Sequence, residues 1–112
     1  MDSITTKYRA IVEQALQEYA DFLGQDDQIQ QELIFDHNRD RYLLVETGWQ
    51  NGDRVYDTLI HIDIINEKLW IQLDGTEDGI AYELEAAGIP KKHIVLAFKS
   101  LERRKLTEYA VS

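Results

Sequence analysis

Cysteine is absent from the 112 residues. The chain therefore offers no disulfide, no thiolate metal ligand and no thiol nucleophile, and a reducing interior suits it. Proline occurs once, at Pro90, and no Pro-rich linker, low-complexity run or internal repeat divides the sequence. No run of about 18 apolar residues occurs, and the start MDSITTKYRA lacks the basic and apolar regions of a secretory leader. The expectation is one soluble, cytoplasmic domain spanning residues 1–112, with no membrane contact. Serine is scarce, at Ser3, Ser100 and Ser112. With no GxSxG, HExxH or Gly-rich phosphate loop, serine-nucleophile, zinc-protease and nucleotide chemistry lack their usual residues.

Positive charge is in short supply as well. Twelve Lys and Arg face 21 Asp and Glu, a net −9, which opposes approach to a phosphate backbone. The imbalance is uneven. Residues 1–90 carry 6 basic and 19 acidic side chains, a net −13, whereas residues 91–112 carry 6 basic and 2 acidic, a net +4. The basic strip Lys91, Lys92, Lys99, Arg103, Arg104 and Lys105 reads as a solvated face or a contact for an acidic surface of a partner or second copy, and alternatively as a nucleic-acid contact.

What is present is a clear change of period. Tyr8, Ile11, Val12, Ala15, Leu16, Tyr19, Phe22 and Leu23 recur at helical spacing, with Ser3 placed to cap the helix and Gly24 to end it. GQDDQIQQ follows as a polar loop. The period then falls to two: Glu32–Phe35 and Tyr42–Trp49 read as a hairpin across DHNRD, whose Asp and Asn favour turns. In VYDTLIHIDII, the residues Tyr56, Thr58, Ile60, Ile62 and Ile64 point one way, and Asp57, Leu59, His61 and Asp63 the other. Testing LWIQLD against this strand favours a two-residue turn at Asn66-Glu67. Ile64 then faces Leu69, Ile62 faces Ile71 and Ile60 faces Leu73 on one apolar face, with His61 opposite Gln72 and Asp63 opposite Trp70 on the other.

LDGTEDGIAYELE, Leu73–Glu85, resembles a calcium loop, with Asp74, Thr76, Asp78, Gly79 and Glu85 at suitable positions. Such a loop follows a helix, however, whereas Asp74 follows a strand. Ile80, Ala81, Leu84 and Ala87 already share a helical face, so Thr76 or Asp74 is expected to cap a helix of about 76–87 with Glu77 and Asp78 in its first turn. Gly88 and Pro90 stop it. Ile94–Phe98 reads as a last strand, and Leu101–Glu108 as a turn or two of helix that docks Leu101, Leu106, Tyr109 and Val111 on the core. The fold class is α+β: a mainly antiparallel sheet of about five strands with both helices on one face.

Chemical candidates are few. His61 and Asp63 share a strand face, where a carboxylate can orient an imidazole for base work or form a structural hydrogen bond. Glu77 and Asp78 are adjacent, so they diverge on a helix and form no facing acid and base pair. No catalytic residue, metal ligand or cofactor is assigned. Trp49, His61, Asp63, Trp70 and Gln72 mix aromatic anchors with polar groups, a composition of protein interfaces. A homodimer is expected through Trp70 or residues 99–108, unless the C-terminal segment covers this face itself.

Several linked stretches carry a resemblance: Gly48-Trp49, HIDI (61–64), KLWIQLDGTEDGIAYEL (68–84), AAGIPKKHIVLAF (86–98) and RRKLTEYAV (103–111). In this order, over essentially the whole chain, they resemble the XisI family, the fdxN element excision controlling factors of filamentous cyanobacteria. Two positions depart from the pattern. Asn66-Glu67 stands where the family often has Asp-Gly, and Leu101 where it has Pro. The resemblance implies a non-enzymatic accessory role in programmed excision of a DNA element during heterocyst differentiation, alongside a separate recombinase. The implied partner is an XisH-like protein, related to nuclease folds, so that contact with nucleic acid is indirect. Direct DNA binding through the basic strip, or antitoxin-like masking of the partner, are the alternatives.

Overall fold

A computed structural model describes residues 3–24 and 26–112. The order is α1 (Ile4–Leu23), β1 (Ile29–Asp36), β2 (Arg41–Gln50), β3 (Asp53–Ile65), β4 (Lys68–Asp74), α2 (Ile80–Ala86), β5 (Ile94–Val95) and α3 (Leu101–Arg104). The strands lie in sequence order, β1 to β4 as an antiparallel meander and β5 parallel to β4. The expected α+β class is the one adopted. α1 and α2 bury their apolar stripes on one sheet face, and the core centres on Val12, Leu16, Tyr42, Leu44, Ile60, Ile62, Leu69, Ile71 and Leu84. Each such aliphatic side chain, fully withdrawn from water, contributes on the order of 2 kcal/mol.

α1 begins where Ser3 Oγ accepts the Thr6 N–H (3.1 Å) and ends at Gly24. Tyr8, Val12 and Leu16 are buried, and Ile11, Ala15 and Tyr19 pack beside them. The apolar stripe does not hold to the end of the helix, because Phe22 is 81% exposed. Its spacing fits the stripe, but its ring stacks on Tyr19, with centroids 6.0 Å apart, and does not enter the core. The polar stretch after α1 is shorter than expected, since Ile29–Gln31 already belong to β1; Gln25 lies outside the described residues.

The β3–β4 hairpin keeps the expected two-residue turn and the pairs Ile64–Leu69, Ile62–Ile71 and Asp63–Trp70. Beyond them, a bulge places His61 opposite Leu73 and Ile60 opposite Asp74, instead of Gln72 and Leu73. The extra residue turns Leu73 to the second face, where it is 41% exposed. A second irregularity pairs Leu44 with Ile60 but Val45 with Thr58. It reverses the alternation upstream, so Leu59 joins the core side and Tyr56 is 71% exposed.

Asn66 and Glu67 form the turn with φ of 51° and 61°. A side chain in this left-handed region costs roughly 1 kcal/mol that glycine does not. Glu67→Gly is therefore expected to raise stability by about 1 kcal/mol, seen as a higher urea midpoint at unchanged slope.

α2 is shorter than the expected 76–87. Asp74 Oδ1 accepts the Thr76 N–H (2.9 Å) and hydroxyl (2.6 Å), Thr76 Oγ1 accepts the Gly79 N–H (3.0 Å), and Asp74 Oδ2 accepts the Ile80 N–H (2.9 Å). Neither expected residue is the helix cap, which is Gly79; Asp74 and Thr76 instead fold 74–79 into a turn ahead of the helix, with Asp74 reaching its first N–H, and Glu77 and Asp78 belong to that turn. The last strand is also shorter, because the chain turns after Val95 and residues 96–98 are no longer strand, although the Phe98 N–H still donates to the Ile71 carbonyl (3.2 Å). Tyr109 packs on the core and donates to Glu85 Oε2 (2.5 Å). α3 ends at Arg104, short of the expected Glu108; Leu101 is exposed and Leu106 is 88% exposed, contrary to their expected docking.

Candidate functional site

α1 and α2 leave the second sheet face free, and this face holds most of the expected interface residues. Asp63 is 5% exposed. Its Oδ1 accepts His61 Nε2–H (2.7 Å) with Arg41 Nε at 3.4 Å, and its Oδ2 accepts Gln72 Nε2–H (3.2 Å). A buried carboxylate needs such partners, because desolvation without them costs several kcal/mol. The His61 to Asp63 pairing therefore closes a structural network. Sequence reasoning did not include Arg41, which is distant in the chain. The strand pairing Arg41–Asp63 brings it in.

Trp70 lies half-buried beside this network, with the Arg104 guanidinium 5.7 Å from its ring. Trp49 is not part of the cluster. It stands at the far end of the β2–β3 hairpin, 57% exposed, with Arg54 5.4 Å from its ring.

The tail does fold over one side of this face, and Arg104 holds it there. Arg104 Nε, Nη1 and Nη2 donate to the carbonyls of Lys99 (3.0 Å), Val111 (3.3 Å) and Ala97 (3.2 Å). Lys91 is engaged as well, 2.6 Å from Glu108 and 3.8 Å from Glu85. These carboxylates raise the Lys91 pKa, Glu108 first. Of the basic strip, Lys92, Lys99, Arg103 and Lys105 make no ion pair among the described residues.

A third feature was not read from the sequence. A groove of about 560 Å³ runs between the C-terminal half of α1 and the turn before α2. Tyr19 and the exposed Phe22 form its apolar wall, and Glu18, Glu77, Asp78 and Glu83 its acidic lining. The field is felt locally: burial first, then the charges of Glu77, Asp74 and Glu46, push the Tyr19 phenol above its ordinary value. Phe22 at a helical apolar position looks like core in sequence, and only its exposure marks the groove.

The family profile described as "XisI protein" matches residues 1–111. Among solved structures, the crystal structure of an XisI-like protein from Anabaena variabilis ATCC 29413 is 34% identical, with a TM-score of 0.91 over 98% of this chain and 100% of that one. That of the fdxN element excision controlling factor XisI from the same organism is also 34% identical, with a TM-score of 0.87 over the same shares. No curated protein matches the chain. With agreement in sequence, fold and length, the chain belongs to the XisI family.

Proposed function

We propose that this chain is a non-enzymatic controlling factor for the excision of a DNA element, and that it works by binding a basic surface of a protein partner, an XisH-like protein. The observation that carries this reading is the groove, where four carboxylates surround an exposed aromatic ring. Such a surface presents an apolar anchor for a partner side chain and carboxylates that attract Lys and Arg. A face that binds nucleic acid is basic by necessity. The controlling factor either presents that face or masks it, according to whether DNA and the groove compete for the same charges.

Two features of the site support a binding role. The His61 imidazole is held by a buried carboxylate that also bonds Gln72 and neighbours Arg41. Lys91 and Arg104, two of the six members of the basic strip, are engaged within the chain, which favours contact with a protein over direct DNA binding.

The test is to mix the purified chain with an XisH-like protein and titrate their association at low and high salt. Binding is expected to weaken as salt screens the carboxylates. Glu77→Lys combined with Asp78→Lys is expected to weaken it by about tenfold or more at low salt. Absence of binding at every salt concentration, or full binding by the doubly reversed variant, overturns the reading. A low-salt gel shift with the chain alone addresses direct DNA contact.

A further inference from the structure

The sheet has two edges, and the chain treats them differently. At β5 the tail closes the edge: Ala110 bridges Val95 in parallel fashion, and the Ala110 N–H donates to the Ile94 carbonyl (2.8 Å). At β1 nothing comparable occurs among the described residues. Trp49 N–H donates to the Gln28 carbonyl (3.1 Å), and Gln28 precedes the register Ile29–Gly48. The alternation of strand hydrogen bonding then directs residues 30, 32, 34 and 36 toward β2, and turns Ile29, Gln31, Leu33 and Phe35 outward. Among the described residues, no backbone or side-chain partner outside the sheet takes up these outward groups.

Open edges are commonly blunted by Lys, Pro, a bulge or a short strand. β1, IQQELIFD, is eight residues long, contains neither Lys nor Pro, and pairs with β2 without a register shift. Beside its outward edge, α1 and Phe35 border a shallow hollow walled by Thr6, Ala10, Glu13, Gln14 and Gln17. Arg9 and His37 complete its lining, Arg9 paired with Asp40 and His37 with Glu13, so the charges of this flank are matched within the chain and a like surface can approach it.

We propose that two copies of the chain associate through β1, edge to edge and antiparallel, into one continuous ten-stranded sheet with Leu33 on the two-fold axis. The register follows from the side chains. A symmetric pairing that uses the whole strand centres on Glu32 or on Leu33. Centring on Glu32 sets that carboxylate directly against its own copy, a destabilising like-charge pair. Centring on Leu33 gives Leu33 against Leu33, Gln31 against Phe35, Glu32 against Ile34 and Gln30 against Asp36, with no like-charge pair. It also satisfies the outward groups of Gln31, Leu33 and Phe35 reciprocally. In this isologous arrangement both α1 helices stay on the same side of the sheet, and Gln31 of the second copy lies over the hollow beside Phe35. The proposal is independent of the groove and its partner. Each chain carries a net −9, so added salt leaves self-association unchanged or strengthens it, the opposite of its effect on the basic partner.

Sedimentation of the unaltered chain and a single-cysteine scan test it together. A species of twice 13.1 kDa is expected at micromolar concentration, and the absence of native cysteine leaves each introduced thiol alone. Hydrogen-bonded antiparallel partners stand about 5.5 Å apart at Cα, within disulfide reach. Oxidised Leu33→Cys is therefore expected to give mostly covalent dimer. Gln30→Cys, offset from its copy by about 20 Å along the strands, is expected to give at least tenfold less. Amide exchange of the unaltered chain supplies a readout free of mutation: Gln31, Leu33 and Phe35 gain protection with concentration, whereas Gln30, Glu32 and Ile34 are protected throughout. A single 13.1 kDa species at every concentration, or cross-linking at Gln30→Cys equal to that at Leu33→Cys, overturns the proposal.

Discussion

Gly48→Ala is expected to lower stability by about 3 kcal/mol, a fall of roughly 10 °C in the thermal midpoint. A Cβ at position 48 would overlap the Gln28 carbonyl oxygen and stand 2.8 Å from Ile29 Cα. Both are backbone atoms, so no side chain can swing away to make room. The clash falls where β1 begins, since Ile29 pairs with Gly48 and the neighbouring Trp49 N–H bonds Gln28. Relief requires the start of β1 to peel from β2, loosening the edge strand together with the loop that joins it to α1. Gly24→Ala serves as the comparison. Its φ is 77° but no atom lies within 4 Å of the added Cβ, so only the conformational term of about 1 kcal/mol applies. Thermal melts of both variants separate steric exclusion from backbone preference, and equal losses would contradict the steric account. Steric exclusion is thus the physical reason for glycine at position 48, next to Trp49.

The second large effect is expected at Asp40. This residue joins the helix to the sheet: Arg9 Nε and Nη2 donate to its two carboxylate oxygens (2.6 and 3.1 Å), and the Tyr42 hydroxyl donates to Oδ1 (2.9 Å). Its own backbone has φ 52°, and its carbonyl accepts the Ile64 N–H (3.0 Å). Asp40→Ala leaves the hydroxyl of the fully buried Tyr42 without its acceptor, a cost of about 2 kcal/mol. It also places a side chain poorly suited to the left-handed region there, about 1 kcal/mol more. Asp40→Asn keeps an acceptor and tolerates the turn, so its loss is expected to be smaller.

The pH dependence of this site has a definite sign. The Arg9 hydrogen bond, followed by that of Tyr42, holds the Asp40 carboxyl below its ordinary value. A carboxyl depressed in the folded state contributes stability in full above the unfolded value, about 3.9, and loses it as pH falls through the folded value. Asp36, depressed chiefly by the Arg39 backbone N–H and side chain, acts in the same direction. The gap in stability between the unaltered chain and Asp40→Ala is therefore expected to be constant near neutrality and to narrow below about pH 4. Urea titrations at several pH values measure it; a gap that widens on acidification contradicts the assignment.

Periodicity and local capping by themselves determined α1 with its Ser3 cap, the β1–β2 hairpin, the Asn66-Glu67 turn, and the pairing of Ile62 and Ile64 with Ile71 and Leu69. Each rests on neighbours a few residues apart, or on an alternation that only one register satisfies. The overturned expectations share a different cause. One inserted residue in a strand leaves its apolar pattern intact in the sequence while rotating every side chain beyond it, so the bulges that expose Tyr56 and Leu73 become visible only when the partner strand is in place. Phe22 and Leu106 sit at plausible core positions, and only the packing of the folded chain shows that they face water. The same holds for the candidate surfaces. Arg41 reaches Asp63, Arg104 fastens the tail over Trp70, and Glu18 meets Glu77 across a groove because the strands and helices bring together residues far apart in the chain. Only the tertiary structure closed the β5 edge and left β1 open, since an edge is defined by what lies beside a strand, a relation its own residues do not contain.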